Sequence, residues 1–431
     1  MSSSNVSVQE NWAPRFFTIW TGQAFSLFGS ALVQFALIWW LTKTTGSATV
    51  LATASLFAML PQIILGPFSG PLIDRWSRRL VMIFADGLIA LATAALAYLF
   101  WKGQVLSWQV YAVLFIRSAG GAFHWPAMQA STTMMVPEKQ LSRVAGMNQT
   151  LQGLVSIVAP PSGAVLIGVV PTQAVLMIDV ITAFIAILPL LFFSIPQPVR
   201  TESKLKPGEK EGYWRDVREG FTYIFAWPGL LAVLLMATLI NFLVNPLGAL
   251  MPLLVTKYFQ KGALALGSMD SIWGVGMIAG GVLLSISGGF HRKIVTMLVG
   301  IVGIGMGVTI IGIAPSDAFW LALVGFFIMG VAIPITNGPA MALLQSIVRP
   351  DMQGRVLSIT GSLVVAMSPI SLLVAGPLSD AYGIRVWYWV SGILCSLIAL
   401  AGFFIPAIMN VENNHNENLP EPVPIAAVKN E

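Results

Sequence analysis

The sequence predicts an all-α integral membrane protein with twelve transmembrane helices in two six-helix halves and both termini in the cytoplasm. Three observations predict this fold class: the composition, the recurrence of long apolar runs, and the uneven placement of Lys and Arg. Of the 431 residues, 56% are hydrophobic and only 10% are charged, whereas a soluble domain has about 25% charged residues. The mean hydropathy is +0.80. A water-soluble protein is therefore excluded.

Twelve predominantly apolar runs are bounded by charges, Pro or Gly. A helix needs about 20 apolar residues to cross the hydrocarbon core, and unpaired backbone groups are not tolerated in lipid. We therefore expect each run to be a helix, because the alternating ten-residue pattern of a transmembrane barrel is not found in this sequence. The predicted spans are Phe16–Leu41, Ala48–Ile73, Leu80–Trp101, Trp108–Met128, Val144–Val170, Gln173–Ile195, Pro228–Val255, Gly267–Gly289, Ile294–Ile313, Ala318–Thr336, Val356–Ser379 and Val386–Ile408.

Positive charge gives the orientation. Of the 23 Lys and Arg residues, seventeen fall on the side that holds both termini, and Arg117 lies inside a span. The remaining five fall on the other side: Lys43, Lys102, Lys257, Lys261 and Arg385. An excess of Lys and Arg marks cytoplasmic loops. We therefore expect a multi-pass protein of the bacterial inner membrane, and we attribute the net charge to topology and not to a nucleic-acid partner.

The longest charged stretch, Gln197 to Arg218, predicts a linker between two halves, followed by an amphipathic helix over Tyr213 to Phe225 with Trp214, Val217, Phe221 and Phe225 on its apolar face. The predicted segments are a cytoplasmic N-terminal segment (1–15), an N-terminal six-helix half (16–195), the cytoplasmic linker (196–227), a C-terminal six-helix half (228–408) and a disordered cytoplasmic tail (409–431).

An internal repeat supports the two halves. The loop after span four carries a pattern that recurs after span ten, and Pro160 in span five corresponds to Pro369 in span eleven. Both matches lie about half the chain apart, as duplication of a six-helix unit requires. The paired loop residues are Val136 with Val348, Pro137 with Pro350, Glu138 with Asp351, Arg143 with Arg355, and Val144 with Val356.

The loop after span two reads G-P-L-I-D-R-W-S-R-R from Gly70 to Arg79. It closely resembles the loop motif of the major facilitator superfamily, G-x-L-x-D-R-x-G-R-[RK], with Ser77 in place of the second glycine. The resemblance implies a conformational motif in which the acid stabilises the outward-facing state by meeting the partner half near Gly354 and Arg355. Its residues here are Gly70, Asp74, Arg75, Arg78 and Arg79.

Span five reads A-P-P-S-G-A from Ala159 to Ala164. This stretch resembles the antiporter motif of the same superfamily, G-P-x-x-G-[GA]. Proline removes a backbone donor and small residues allow close packing, so Pro160 and Gly163 are expected to form a hinge. Ordinary helix kinking is the alternative.

Arg117 begins a match to the superfamily's R-x-x-x-G pattern in span four, ending at Gly121. A central Arg costs about 2.5 kcal/mol or more in a membrane helix, so it must face a partner or a wet cavity. We expect Asp86 to carry an exchanged proton, with Arg117 and His124 both as candidate partners. A buried structural ion pair is the equally weighted alternative. For Asp179 and Asp270 the alternatives are a titrating role and a position in headgroup water, and we favour headgroup water.

The superfamily resemblance places a substrate cavity between the halves, lined by spans one, four, seven and ten. A polar side chain in lipid is costly unless it has a hydrogen-bond partner. The polar residues on these four spans therefore predict, as a set, an amphipathic pocket for a large, mostly apolar ligand. Taken singly, each could instead be an interhelical hydrogen bond. The candidate substrate-binding residues are Gln23, Gln34, Arg117, Asn241, Asn245 and Asn337.

Three stretches resemble Mef-type bacterial macrolide efflux proteins: Phe17 to Ser47, Phe115 to Pro137 and Gly354 to Ser362. The likeness runs over essentially the whole chain. It implies a secondary active transporter that exports hydrophobic drugs, macrolides first, in exchange for protons. An exporter of a siderophore or another amphipathic metabolite is the alternative.

The sequence contains no G-x-x-x-x-G-K-[ST] phosphate loop, so the proton gradient is the expected energy source and no cofactor is expected. A separate ATP-binding partner protein stays an open alternative. His124, His291 and His415 lie far apart and Cys395 is the only cysteine, so neither an enzyme nor a metal site is expected. The expected partners are a small hydrophobic molecule, protons and the lipid bilayer.

Overall fold

The computed structural model describes residues 12–193, 195, 212–348 and 352–412. The linker residues 196–211 and the tail beyond residue 412 lie outside this part of the chain. The described helices are α1 (Trp12–Thr45), α2 (Ala48–Arg75), α3 (Arg78–Lys102), α4 (Ser107–Met135), α5 (Glu138–Val169), α6 (Thr172–Phe192), α7 (Gly212–Ala226), α8 (Pro228–Leu253, continued by a π-turn Leu254–Tyr258), α9 (Ala263–Ser287), α10 (Lys293–Ile313), α11 (Phe319–Ile347), α12 (Gln353–Tyr382), α13 (Ile384–Phe404) and α14 (Pro406–Met409).

The all-α membrane fold is confirmed. Helices α1–α6 and α8–α13 correspond in order to the twelve predicted spans, and eleven of the described helices are long and apolar enough to cross a membrane. The other long helix, α4, has 29 residues and carries Arg117 and His124. The count of twelve membrane crossings and the cytoplasmic location of the termini stay predictions.

Several helices are longer than the predicted spans. Helix α5 begins at Glu138 where Val144 was expected, and α1 begins at Trp12 where Phe16 was expected. Their first turns are polar or basic, so a count of apolar residues misses them, although the backbone hydrogen bonding of a helix continues beyond the lipid.

Helix α7 lies where the sequence predicts an amphipathic helix, but its described buried residues are not those of the predicted apolar face. Tyr223 and Ile224 are buried in a cluster with Trp227 at the start of α8. Phe221 and Phe225 are exposed, and their rings stack 6.3 Å apart. The side chains of Trp214 and Val217 lie outside the described part of the chain. The described residues therefore show one face packed on the bundle and a separate aromatic face directed away from it.

The structure agrees with the sequence repeat. Val136 ends α4 and Val348 ends α11, each as the C-terminal cap residue in extended conformation. Val144 and Val356, in the helices that follow, are both buried. Equivalent hydrophobic residues therefore hold equivalent helix–loop–helix corners in the two halves.

The halves meet through two helix pairs, α2 with α12 and α5 with α9. A Cβ atom built on Gly376 of α12 would lie 3.1 Å from the Cα of Thr49 in α2, and one on Gly267 of α9 would lie 2.9 Å from the Cα of Pro161 in α5. These close contacts lie at the predicted periplasmic ends of the four helices.

Toward the opposite end, four glycines of the same helices have open space around them. A Cβ atom built on Gly66 of α2, Gly153 of α5, Gly281 of α9 or Gly361 of α12 would meet no described atom within 4 Å outside its own helix backbone. Among the described residues, the tight backbone contacts between the halves therefore lie toward the predicted periplasmic end.

Candidate functional site

Each half contains a cavity that is lined by candidate substrate-binding residues. The N-terminal cavity, of about 490 Å³, is lined by α1–α5, and the C-terminal cavity, of about 410 Å³, is lined by α8–α11. All six candidate substrate-binding residues lie on these walls: Gln23, Gln34 and Arg117 on the first, and Asn241, Asn245 and Asn337 on the second. That they contact substrate stays a prediction.

Asp86 is held on the wall of the N-terminal cavity by two side chains from neighbouring helices. Gln23 of α1 donates a hydrogen bond from Nε2 to Asp86 Oδ2 at 3.2 Å. His124 of α4 places Nε2 3.3 Å from Asp86 Oδ1. Asp86 is 5% exposed. The carboxylate and the imidazole therefore form a buried titratable pair that borders a cavity.

Arg117 pairs with Asp179 and not with Asp86. Its Nη1 contacts Asp179 Oδ2 directly and also donates to Thr93 Oγ1 at 2.8 Å, while Nη2 donates to the carbonyl of Ser30 at 3.2 Å. Ser30 Oγ in turn donates to Asp179 Oδ1 at 2.9 Å. The cluster joins α1, α3, α4 and α6 inside the N-terminal half.

This cluster corrects the expectation that Asp179 sits in headgroup water. Asp179 is 1% exposed, and its carboxylate accepts hydrogen bonds from two hydroxyl groups in addition to the ion pair with Arg117. A buried charge is tolerated when it is paired and hydrogen-bonded. Of the alternatives left open for Arg117, the geometry favours the structural ion pair.

Asp270 is also placed differently from the expectation. It lines the C-terminal cavity together with Trp273, one turn further along α9, and with the three asparagines. No described residue donates a hydrogen bond to its carboxylate or pairs with it. It faces the interior of the half and not the headgroup region.

The amides of the C-terminal cavity have different partners. Asn245 of α8 donates from Nδ2 to Ser368 Oγ of α12 at 2.7 Å, which links two helices. Asn241 donates to the carbonyl of Ala237 within its own helix at 2.9 Å. Both residues use only their amide nitrogen as a donor, and the bond of Asn245 in addition joins α8 to α12.

Two arginines of the predicted conformational motif tie the N-terminal half together. Arg78 donates to the carbonyl of Ala130 near the end of α4, and Arg79 to that of Leu191 near the end of α6, each at 2.7 Å. The carbonyl of Leu191 belongs to the last turn of α6, whose carbonyls lack an intrahelical N–H donor, whereas that of Ala130 lies within α4. The side chains of Asp74, Arg75 and Arg355 lie outside the described part of the chain, as do Gly70 and Gly354, so the expected Asp74 contact stays a prediction.

The proline motif of α5 lies at a contact between the halves. The backbone of Pro160 and Pro161 packs against Gly267 of α9, and a Cβ on Gly163 would lie 3.0 Å from the ring of Phe35 in α1. The small residues thus permit close approach on two sides. The hinge role of Pro160 and Gly163 stays a prediction.

A contact that sequence reasoning missed joins the halves at the predicted periplasmic end. Asp380, near the end of α12, accepts hydrogen bonds from the backbone N–H groups of Ala48 and Thr49 and from the hydroxyls of Ser47 and Thr49, at 2.7–2.9 Å. The carboxylate of one half therefore caps the first turn of α2 in the other. The signal was present, because G-P-L-S-D from Gly376 to Asp380 repeats the G-P-L-I-D of Gly70 to Asp74.

Comparison with known proteins decides the family. The family model "Major Facilitator Superfamily" matches residues 19–371. The chain belongs to the major facilitator superfamily. It is 38% identical over 390 residues to Macrolide efflux protein A of Streptococcus pyogenes, which covers 90% of this chain and 95% of that protein. The resemblance to Mef-type efflux proteins is therefore confirmed. The Multidrug efflux pump Tap of Mycolicibacterium fortuitum is 25% identical over 398 residues, covering 89% and 94% of the two chains.

Solved superfamily structures share the fold at low sequence identity. A mutant of the nucleoside transporter NupG aligns with a TM-score of 0.70 at 13% identity, covering 93% of this chain and all of that one. The inward-open xylose transporter XylE from E. coli aligns with a TM-score of 0.65 at 13% identity, covering 90% and 96%. With its family shown, this superfamily member is a multi-pass transporter of the bacterial cell membrane and not an enzyme.

Proposed function

We propose that the chain is a secondary active transporter that exports hydrophobic, macrolide-like drugs in exchange for protons. The observation that carries the proposal is the Asp86–His124 pair on the wall of the N-terminal cavity. Proton antiport needs a group that is alternately charged and neutral. For Asp86, burial favours the neutral carboxyl, and the basic partner His124 favours the charged carboxylate. The relatives named as macrolide and multidrug efflux proteins support the substrate class.

The two pairs of the N-terminal half have different tasks in this proposal. The Arg117–Asp179 pair, with its hydroxyl partners, holds four helices together. The Asp86–His124 pair has fewer partners and borders the cavity, so proton release can reach water through that cavity. We assign coupling to Asp86 with His124, and architecture to Arg117.

Alternating access follows from the interface between the halves. Asp380 and the close contacts of α2 with α12 and of α5 with α9 join the halves at the predicted periplasmic end, which supports a state that is closed on that side. In the proposed cycle, a drug enters from the open cytoplasmic end, and protonation of Asp86 from the outside belongs to the opposite state. A rocking of one half against the other exchanges the two ends.

The test is accumulation of a labelled macrolide in susceptible cells that express the chain, with Asp317→Asn, an exposed loop acid, as the matched control for Asp86→Asn. We expect lower accumulation with the wild type and the control, and the level of empty-vector cells with Asp86→Asn. If cells expressing the wild-type chain accumulated as much macrolide as empty-vector cells but had a changed siderophore level, the substrate would instead be a siderophore or another metabolite.

A further inference from the structure

Three acids lie in or beside the two cavities, and their surroundings differ. Asp86 and Asp179 are buried, and each has a basic partner in its own half, His124 and Arg117. Asp270, in the C-terminal half, has no basic residue among the residues that line its cavity. Tyr388, buried in the same half, donates its hydroxyl to the carbonyl of Leu247 at 2.6 Å and so does not donate to Asp270. Of these three acids, Asp270 alone has no basic partner among the described residues.

An ionisable side chain inside a membrane protein is costly and calls for a named partner. For Asp270, the described protein supplies none, yet the carboxylate lines a cavity of about 410 Å³ with a largely aliphatic wall that includes Met251, Ile301 and Ile333. A ligand that brings its own positive charge would satisfy the carboxylate. A neutral ligand would leave it buried and unpaired.

Trp273 gives a second and independent indication. It lies one turn after Asp270 on the same cavity wall, and its indole Nε1 is buried with no hydrogen-bond partner in the described part of the chain. Tryptophan is the ring that best attracts a cation, and an unused indole N–H can donate to a ligand carbonyl or hydroxyl. The side-chain carbonyl of Asn241, whose amide nitrogen is already bonded to Ala237, offers an acceptor in the same space.

We propose that Asp270 is the counter-ion for a protonated tertiary amine on the exported drug, and that the C-terminal cavity selects large amphiphilic monocations. The proposal rests on the drug-export function above and names the substrate class within it. Macrolides that carry a dimethylamino sugar have this chemistry: one amine on a large, mostly apolar, oxygen-rich ring. The halves then divide the work, because the N-terminal cavity holds the coupling pair and the C-terminal cavity holds the drug cation.

The experiment is a cycle between protein and ligand. Binding is measured for a dimethylamino macrolide and for its neutral derivative, in which one N-methyl group has been removed and the resulting secondary amine acetylated. The proteins are the wild type, Asp270→Asn and the exposed-acid control Asp317→Asn, each purified at full length in lipid nanodiscs. We expect the wild type and the control to bind the amine about tenfold more tightly than the neutral derivative. In Asp270→Asn, we expect the affinity for the amine to fall to that for the neutral derivative, while the affinity for the neutral derivative stays unchanged.

Asp270→Glu keeps the charge and guards against misfolding of the amide variant, and we expect it to retain a preference for the amine. Equal weakening of both ligands in Asp270→Asn, or an unchanged preference, would overturn the counter-ion role. If wild-type protein bound the two ligands equally, this inference would fail while macrolide export still stood. If it bound neither, the proposed function itself would fail.

Discussion

Asp380 of α12 accepts a hydrogen bond from the backbone N–H of Ala48, the first residue of α2, at 2.8 Å. The two residues belong to different halves, so this bond requires the halves to be in contact at the predicted periplasmic end. A carboxylate at a helix N-terminus contributes about 0.3–1 kcal/mol at a surface, and up to about 2 kcal/mol when partly buried. Asp380 is thus placed to stabilise the state that is open toward the cytoplasm.

Asp380→Ala is predicted to shift the protein toward the state that is open to the periplasm. Loss of about 1.4 kcal/mol changes the ratio of two states tenfold. The measurement is the distance distribution between spin labels at Lys102 and Lys261, both exposed at the predicted periplasmic side of opposite halves. Longer distances are expected for Asp380→Ala than for the wild type. An unchanged distribution would show that the cap has no influence on the equilibrium.

Asp74→Asn is predicted to act in the opposite direction. Asp74 ends the matching G-P-L-I-D on the cytoplasmic side of α2, and the superfamily resemblance implies that it stabilises the outward-facing state. The same spin-label pair should therefore report shorter distances, with drug affinity unchanged. Combining Asp74→Asn with Asp380→Ala should return the distribution toward that of the wild type. A variant with normal populations but weakened drug binding contradicts this role.

Asp179→Asn is predicted to destabilise the protein. Removing one partner of a buried ion pair costs about 3–5 kcal/mol, because the other charge is left uncompensated, and here Arg117 would lose its pair inside the N-terminal half. Thermal unfolding in detergent should show a clear drop in Tm. A double variant, Arg117→Met with Asp179→Leu, should recover much of that loss. If Asp179→Asn were as stable as the wild type, the Arg117–Asp179 cluster would not be needed to stabilise the fold.

Asp86→Asn is predicted to leave the fold intact and to stop uphill transport. Its partner His124 can become neutral, so no obligate charge is stranded, unlike Arg117 in the preceding prediction. Drug binding and downhill exchange should remain measurable while accumulation against a gradient is lost. Normal uphill pumping by Asp86→Asn would exclude Asp86 from coupling and would direct the search to Asp270.

The topology predicts a simple labelling pattern. The only cysteine, Cys395, is buried, so the background of the native chain is low. Cysteines introduced at Lys139 and Lys204 should react only from the cytoplasm, and one at Lys102 should react with an impermeant reagent added outside whole cells. The reverse pattern would invert the orientation.

The fold could be predicted because the apolar periodicity and length of each span are local properties. The pairing of Arg117 could not be predicted so easily, because Asp86 and Asp179 both lie on other helices of the same half, and Asp179 lies on α6, which packs mainly on α1 and α3. The distance of each residue from the end of its helix, and so its depth in the membrane, would have separated the two acids as partners of Arg117. Arg117 lies ten residues from the start of α4 and Asp179 seven from the start of α6, which at 1.5 Å per residue is about 15 Å and about 10 Å from the same membrane side.

Counting residues from the opposite membrane side likewise places Asp86 and His124 at similar depths. Asp86 lies eight residues from the start of α3 and His124 eleven from the end of α4, about 12 Å and about 16 Å from the cytoplasmic ends of their helices. The unpaired state of Asp270 could not be read in this way, because it depends on which side chains line a cavity and not on the depth of one residue.

The central claim, proton-driven drug export, is tested most directly in proteoliposomes that contain the full-length chain, labelled dimethylamino macrolide and no ATP. An acid interior is imposed, and protein-free liposomes with the same gradient correct for passive trapping of the amine. We predict that the protein liposomes take up label faster than the protein-free liposomes, and that nigericin with potassium abolishes the difference. An initial rate of uptake no greater than in the protein-free liposomes would contradict proton antiport by this chain.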